Sequence, residues 1–157
     1  AHCGADVLMQ LSTHFALEEL TFSELATRQG IANEAPAEIM PNLRVLAAAL
    51  EMVRYKLGQP VLISSGYRSI QLNAAVGGAA SSAHTKGLAA DFRCPNFGEP
   101  LRVAAEIAGI AFDFDQIIHE FGRWVHLGIA APGAVGRKQL LTIDRAGTRP
   151  GLLPARY

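Results

Sequence analysis

The clearest periodic pattern runs from about Pro41 to Leu57, where Leu43, Leu46, Ala47, Leu50 and Val53 recur at three- and four-residue steps. That spacing predicts an amphipathic helix with one buried face, opened by Pro41 and closed by Gly58. Upstream, residues 1–14 show no clear period. Thr21-Phe22-Ser23-Glu24 reads as a capping box, with Thr21 as the cap of a two-turn helix that Gly30 stops. Downstream the period changes. Val61-Leu62-Ile63 predicts a buried strand, and Ser69 a cap for a short helix to Val76. Residues 77–83 are small and predict a loop. Leu88–Phe92 predicts a strand and Pro100 opens a helix over 100–108. Asp115–Glu120 and Trp124–Ile129 predict a hairpin, and Lys138–Ile143 a last strand. Residues 144–157, rich in Gly, Pro and Arg, read as a loosely held tail. Helices come first and strands later, so the expected class is α+β.

Of 157 residues, half are hydrophobic and 18% are charged, which excludes a disordered chain. A chain this long suits one domain and buries roughly 70% of its unfolded surface. It needs no metal or disulfide merely to fold. The expected division is an extension over 1–14, a domain over 15–143 and the tail. Fourteen basic residues balance fourteen acidic ones, so no basic excess points to nucleic acid. The longest apolar run, Val45 to Leu50, is far below the ~20 residues of a membrane span. The chain starts at Ala1 rather than Met, from which we expect that a signal, a tag or an upstream region was removed. Cys3 and Cys94 stand either as two separate thiols or, in an oxidising compartment, as a disulfide.

Candidate chemistry concentrates on three residues. His84 and Asp91 lie seven apart, with Gly87 between them where loop turns into strand. Both side chains can face one point, and His126 supplies a third group from the hairpin. Two imidazoles and a carboxylate leave a fourth position open, the pattern of a catalytic zinc site. The three-residue loop Phe121-Gly122-Arg123 sets Glu120 opposite Trp124, and alternation puts Trp124 and His126 on one face. Glu120 is then a candidate general base. Arg68, just after the Val61–Ser65 segment, is a fixed cation for a substrate carbonyl or carboxylate. The plainer alternatives are a hydrogen-bonded polar cluster, a Glu120–Arg123 pair and a structural Arg68 salt bridge. His119 faces away from Glu120 and reads as packed or solvent-exposed.

Three motifs together resemble a known family. Ser65-Gly66-Tyr67-Arg68-Ser69, Ser82-x-His84-x-x-Gly87-x-Ala89-x-Asp91 and Glu120-Phe121-Gly122-Arg123-Trp124-Val125-His126 look like the zinc D-Ala-D-Ala carboxypeptidases. These cell-wall peptidases share a fold with the hedgehog signalling domain. The resemblance covers roughly residues 15–143 and is greatest to compact bacterial and phage-type members. It implies an antiparallel sheet with helices packed on one side, and one Zn2+ on His84, Asp91 and His126. It also implies Glu120 as base, Arg68 on the scissile carbonyl, Ser82 positioning substrate and Trp124 lining the pocket. Some members place the base three residues before the last ligand; here that position is Arg123. The implied partner is a peptidoglycan stem peptide, met by a monomer in the cell envelope, in the periplasm, after secretion or on a phage particle. The expected activity is D-Ala-D-Ala carboxypeptidase. An endopeptidase and a non-catalytic zinc-containing binding module are the alternatives. With no basic excess, recognition is expected to rest on Arg68 and the zinc, and the length is expected to leave no room for a separate wall-binding module.

Overall fold

The periodic stripe becomes the helix around which the core is built. The computed structural model describes residues 8–157. Helix α3 spans Met40–Leu57, after a 3-10 turn at Ala37–Ile39. Leu43, Leu46, Ala47, Leu50 and Val53 are all fully buried, as the spacing predicts. Two short helices precede it, α1 (Leu17–Thr21) and α2 (Glu24–Gln29). Here the capping expectation needs correction. Ser23, not Thr21, caps α2, accepting a hydrogen bond from the Ala26 N–H. Thr21 is the last residue of α1 and its hydroxyl donates to the Leu17 carbonyl. Phe22 is extended between the two helices, so a cap at Thr21 has no helix to enter.

Six strands form one sheet: β1 (Leu62–Ser65), β2 (Ala89–Arg93), β3 (Phe114–Glu120), β4 (Trp124–Ile129), β5 (Gln139–Asp144) and β6 (Gly147–Pro150). Helices α4 (Ile70–Ala75) and α5 (Pro100–Ile107) complete the α+β domain. The spatial order is β1-β2-β4-β3-β5-β6. The expectation of an antiparallel sheet holds for every pairing but one, because β5 runs parallel to β3. The reason is local. β4 ends beside the start of β3, at Phe114↔Ile129, and β5 begins at the same end of the sheet, at Gln116↔Gln139. A loop that only steps past β3 therefore delivers a parallel strand. Its course is pinned by Arg137 on Asp115 and by the Lys138 N–H on the Phe114 carbonyl.

Alternation divides the sheet into two faces. Ala90 and Phe92 from β2, Ile117 from β3 and Val125, Leu127 and Ile129 from β4 join α3 and α5 in one apolar core. Asp91 and His126, a directly opposed pair, point the other way. The polar site thus sits on the sheet face turned from that core.

The tail is not loosely held. β6 pairs with β5, and buried Asp144 accepts from the backbone N–H groups of Ala146 and Arg156 and from the Arg149 guanidinium. Thr142 bonds the backbone at Gly151 and Leu153, while His119 reaches the Leu153 carbonyl at 2.9 Å. These are specific contacts of individual polar groups, which composition does not reveal. At the other end, Ser12 and His14 bond Glu51 of α3. His2 and Cys3 lie outside the described residues, and with Cys3 the question of a disulfide to buried Cys94. Among the described residues, no helix is long and apolar enough to cross a membrane.

Candidate metal centre

His84 reaches the site from a 3-10 turn at Ala83–Lys86. Ser82 caps this turn, its hydroxyl accepting from the His84 N–H at 3.3 Å. Gly87 ends it at φ +70°, where a Cβ would also lie 2.7 Å from Ile39. Only glycine fits both the conformation and the space, so the chain turns sharply into β2 and brings Asp91 round to His84. The imidazole of His84 is oriented by the Gly66 carbonyl, 2.7 Å from Nδ1. A carbonyl only accepts, so Nδ1 carries the proton and Nε2 presents its lone pair. Gly66 is itself fixed by close approach to α1: a Cβ there would lie 2.4 Å from the Leu20 carbonyl oxygen.

The donor atoms converge. Asp91 Oδ1 lies 2.9 Å from His126 Nδ1 and 3.3 Å from His84 Nε2. All three residues are buried, and their ligating atoms lie within 4.8 Å of one another. Ligands held about 2.0–2.2 Å from a tetrahedral ion stand roughly 3.3–3.6 Å apart, so this spacing suits a small divalent cation after slight opening. Burial pushes the Asp91 carboxyl up, but the imidazoles of His126 and His84 beside it outweigh this and hold the group well below the usual carboxylate range. An ionised carboxylate between two oriented imidazoles is the donor set a metal site requires.

The second Asp91 oxygen is held from outside. Arg68 Nη2 lies 3.3 Å from Oδ2, while Nε donates to Ser65 at 3.1 Å and Nη1 approaches Asn73 at 3.4 Å. The salt-bridge alternative for Arg68 is therefore present, with Asp91 as its partner. Asn73 is 3% exposed and is itself tied to the Ala79 carbonyl. Sequence reasoning missed Asn73, and also Asn33, which braces the Arg68 turn through the Tyr67 carbonyl and the Ser69 N–H. An asparagine in a short helix or a loop carries no periodic signal.

Glu120 pairs directly with Trp124 across the hairpin, on the face that carries His126. Burial raises its carboxyl above the ordinary value, and the Asp91 charge adds to this; His126 and Arg68 oppose it. The alternative Glu120–Arg123 ion pair does not form among the described residues. Trp124's indole N–H favours the ionised Glu120, yet it is buried without a hydrogen bond of full geometry. A cleft of about 510 Å³ opens along this face, lined by Ser64, Arg93, Glu99, Arg123 and Trp124. Arg93 and Trp124 stand two residues beyond Asp91 and His126 on their strands, so the cleft continues from the centre. His119 is buried on the opposite face, consistent with the packed reading.

A family model described as Peptidase M15 matches residues 13–128, a stretch containing all three candidate ligands, Glu120 and Arg68. The chain belongs to this family of zinc D-Ala-D-Ala carboxypeptidase-type peptidases. No curated protein matches the chain. Family membership supports a metallopeptidase acting on peptidoglycan, and the buried His-Asp-His group is where the metal can be held.

Proposed function

We propose that the protein is a zinc peptidase that hydrolyses peptidoglycan stem peptides as a D-Ala-D-Ala carboxypeptidase. The observation that carries the reading is the buried convergence of His84, Asp91 and His126, with Glu120 on the same face. When bound there, zinc supplies Lewis acidity, polarising the scissile carbonyl and lowering the pKa of a water toward about 7. Glu120 takes the proton of the attacking water and returns it to the leaving amine. Its raised pKa suits this exchange, since a carboxyl nearer neutrality both accepts and releases a proton readily. Arg68 steadies the oxyanion through a guanidinium whose position Ser65, Asn73 and Asp91 fix in advance. Ser82 holds the His84 turn and keeps its hydroxyl proton free for substrate. Trp124 walls the cleft beside the reacting groups.

The test is digestion of a purified pentapeptide muropeptide by zinc-loaded protein, read by mass spectrometry. Loss of one alanine is the expected product. Cleavage of a crosslinked dimer instead gives the endopeptidase assignment. Glu120→Gln is expected to keep the metal and lose roughly 10²–10⁴ in rate, the range of a lost general base. If wild type leaves pentapeptide and crosslinked forms intact across metals and pH, the binding-module reading replaces the enzyme.

A further inference from the structure

The formal charge of zero conceals a local imbalance. Residues 121–157 carry six basic side chains, Arg123, Arg137, Lys138, Arg145, Arg149 and Arg156, against a single acid, Asp144. Two of the arginines are paired, Arg137 with Asp115 and Arg149 with Asp144. Arg123, Arg145 and Arg156 form no ion pair among the described residues. These three line one cleft of about 520 Å³, together with Phe121, Trp124 and Tyr157. None of its lining side chains is acidic. The Phe121 and Trp124 rings pack 5.6 Å apart and form an aromatic wall.

Three guanidinium groups around one hollow repel one another unless an anion or solvent screens them. Their planar forks suit bidentate pairing with an oxyanion. Position adds the second argument. Arg123 and Trp124 also line the cleft that continues from the metal centre, so the hairpin tip stands between the two hollows. Trp124 is two residues from His126, about 7 Å along the strand. A peptide held at the centre therefore meets the arginine cleft about two to four residues from the reacting bond, at roughly 3.3–3.6 Å per residue. Arg145, Arg156 and Tyr157 all fall outside the stretch that matches the family model, so the far wall is built by the segment that follows it.

We propose that this cleft is an anion subsite that takes a free carboxylate of the substrate peptide, distant from the bond that is cut. The proposal rests on the peptidase reading for its ligand. It revises the expectation that Arg68 and zinc alone recognise substrate: the sequence balances its charges, and the fold then sorts them.

The test uses zinc-loaded Glu120→Gln protein, so that binding is read without turnover. Its affinity is measured by calorimetry for a pentapeptide muropeptide with free side-chain carboxylates and for the same compound amidated at those groups. Free carboxylates are expected to bind more tightly, with the advantage shrinking as salt rises. Arg145→Ala and Arg156→Ala are each expected to weaken that binding about three- to tenfold and, combined, to remove most of the preference for the free form. Both side chains are exposed, so an unchanged melting temperature serves as the folding control. The proposal is overturned if the double variant retains the preference, or if the parent binds both compounds equally. It is also overturned if poly(glycerol phosphate) binds through these arginines while the muropeptide carboxylates make no difference. Turnover is measured separately on wild type. Failure to cleave either compound counts against the peptidase reading, whereas the carboxylate preference judges the subsite.

Discussion

Replacing Gly66 with alanine strikes the fold and the site through one atom. The added Cβ would stand 2.4 Å from the Leu20 carbonyl oxygen and 2.9 Å from its carbonyl carbon and Cα. These are backbone atoms of α1, and Tyr67 N–H already donates to the same oxygen at 2.7 Å. Neither side can yield without moving the helix or the turn. Overpacking of this kind costs about 1–3 kcal/mol. In a domain of this size that lowers Tm by roughly 2–4 °C per kcal/mol, so a fall of about 2–12 °C is expected. The same shift moves the Gly66 carbonyl that orients His84. Losing such an outer partner typically weakens metal binding about 10–100-fold. Thermal unfolding of the metal-free protein measures the first effect, and chelator competition for zinc the second. Wild-type melting together with wild-type zinc affinity would refute the argument that α1 positions His84 through Gly66.

Two further substitutions probe the supports around the centre. Asn73→Ala removes the group beside Arg68 Nη1 and one of the two donors to the Ala79 carbonyl, leaving it the Ser82 N–H. We expect kcat/KM on the muropeptide to fall about tenfold, near 1.4 kcal/mol of transition-state stabilisation, with zinc content unchanged. Loss of zinc would show that Asn73 acts on the ligands instead. At Glu51, burial pushes the carboxyl up, but hydrogen bonds from His14 and Ser12 outweigh it and leave the pKa below its ordinary 4.5. The depressed value contributes stability that is full above pH 4.5 and lost as pH falls through the lower folded value. Glu51→Gln is expected to lower stability at neutral pH and to flatten its acid dependence, as followed by urea unfolding between pH 3 and 7. An unchanged pH profile would contradict the assignment.

Much of the site was legible because it rests on short-range geometry. The Phe121-Gly122-Arg123 loop sets the register that pairs Glu120 with Trp124, and alternation then places His126. The His84–Asp91 spacing works because Gly87 turns the chain between them. The α3 stripe was equally plain, since burial follows its period. What escaped depends on which of several available partners each polar group takes once the chain is folded. Ser23 outcompetes Thr21 as a cap only because α1 already uses Thr21. β6 is held through Asp144 and Thr142 in a stretch whose composition resembles a free tail. Asn33 and Asn73 brace Arg68 from separate elements. The arginine cleft is invisible to net charge, because acids elsewhere in the chain cancel it on paper but stand outside the cleft.

The proposed peptidase requires that His84, Asp91 and His126 hold one metal ion together. Metal analysis of purified wild type and His84→Ala, both refolded or dialysed with zinc and then freed of excess, tests this most directly. One equivalent of zinc in wild type and its loss in His84→Ala, with the variant still folded by circular dichroism, is the predicted result. A wild type that holds no zinc, or a folded His84→Ala that retains a full equivalent, would contradict it.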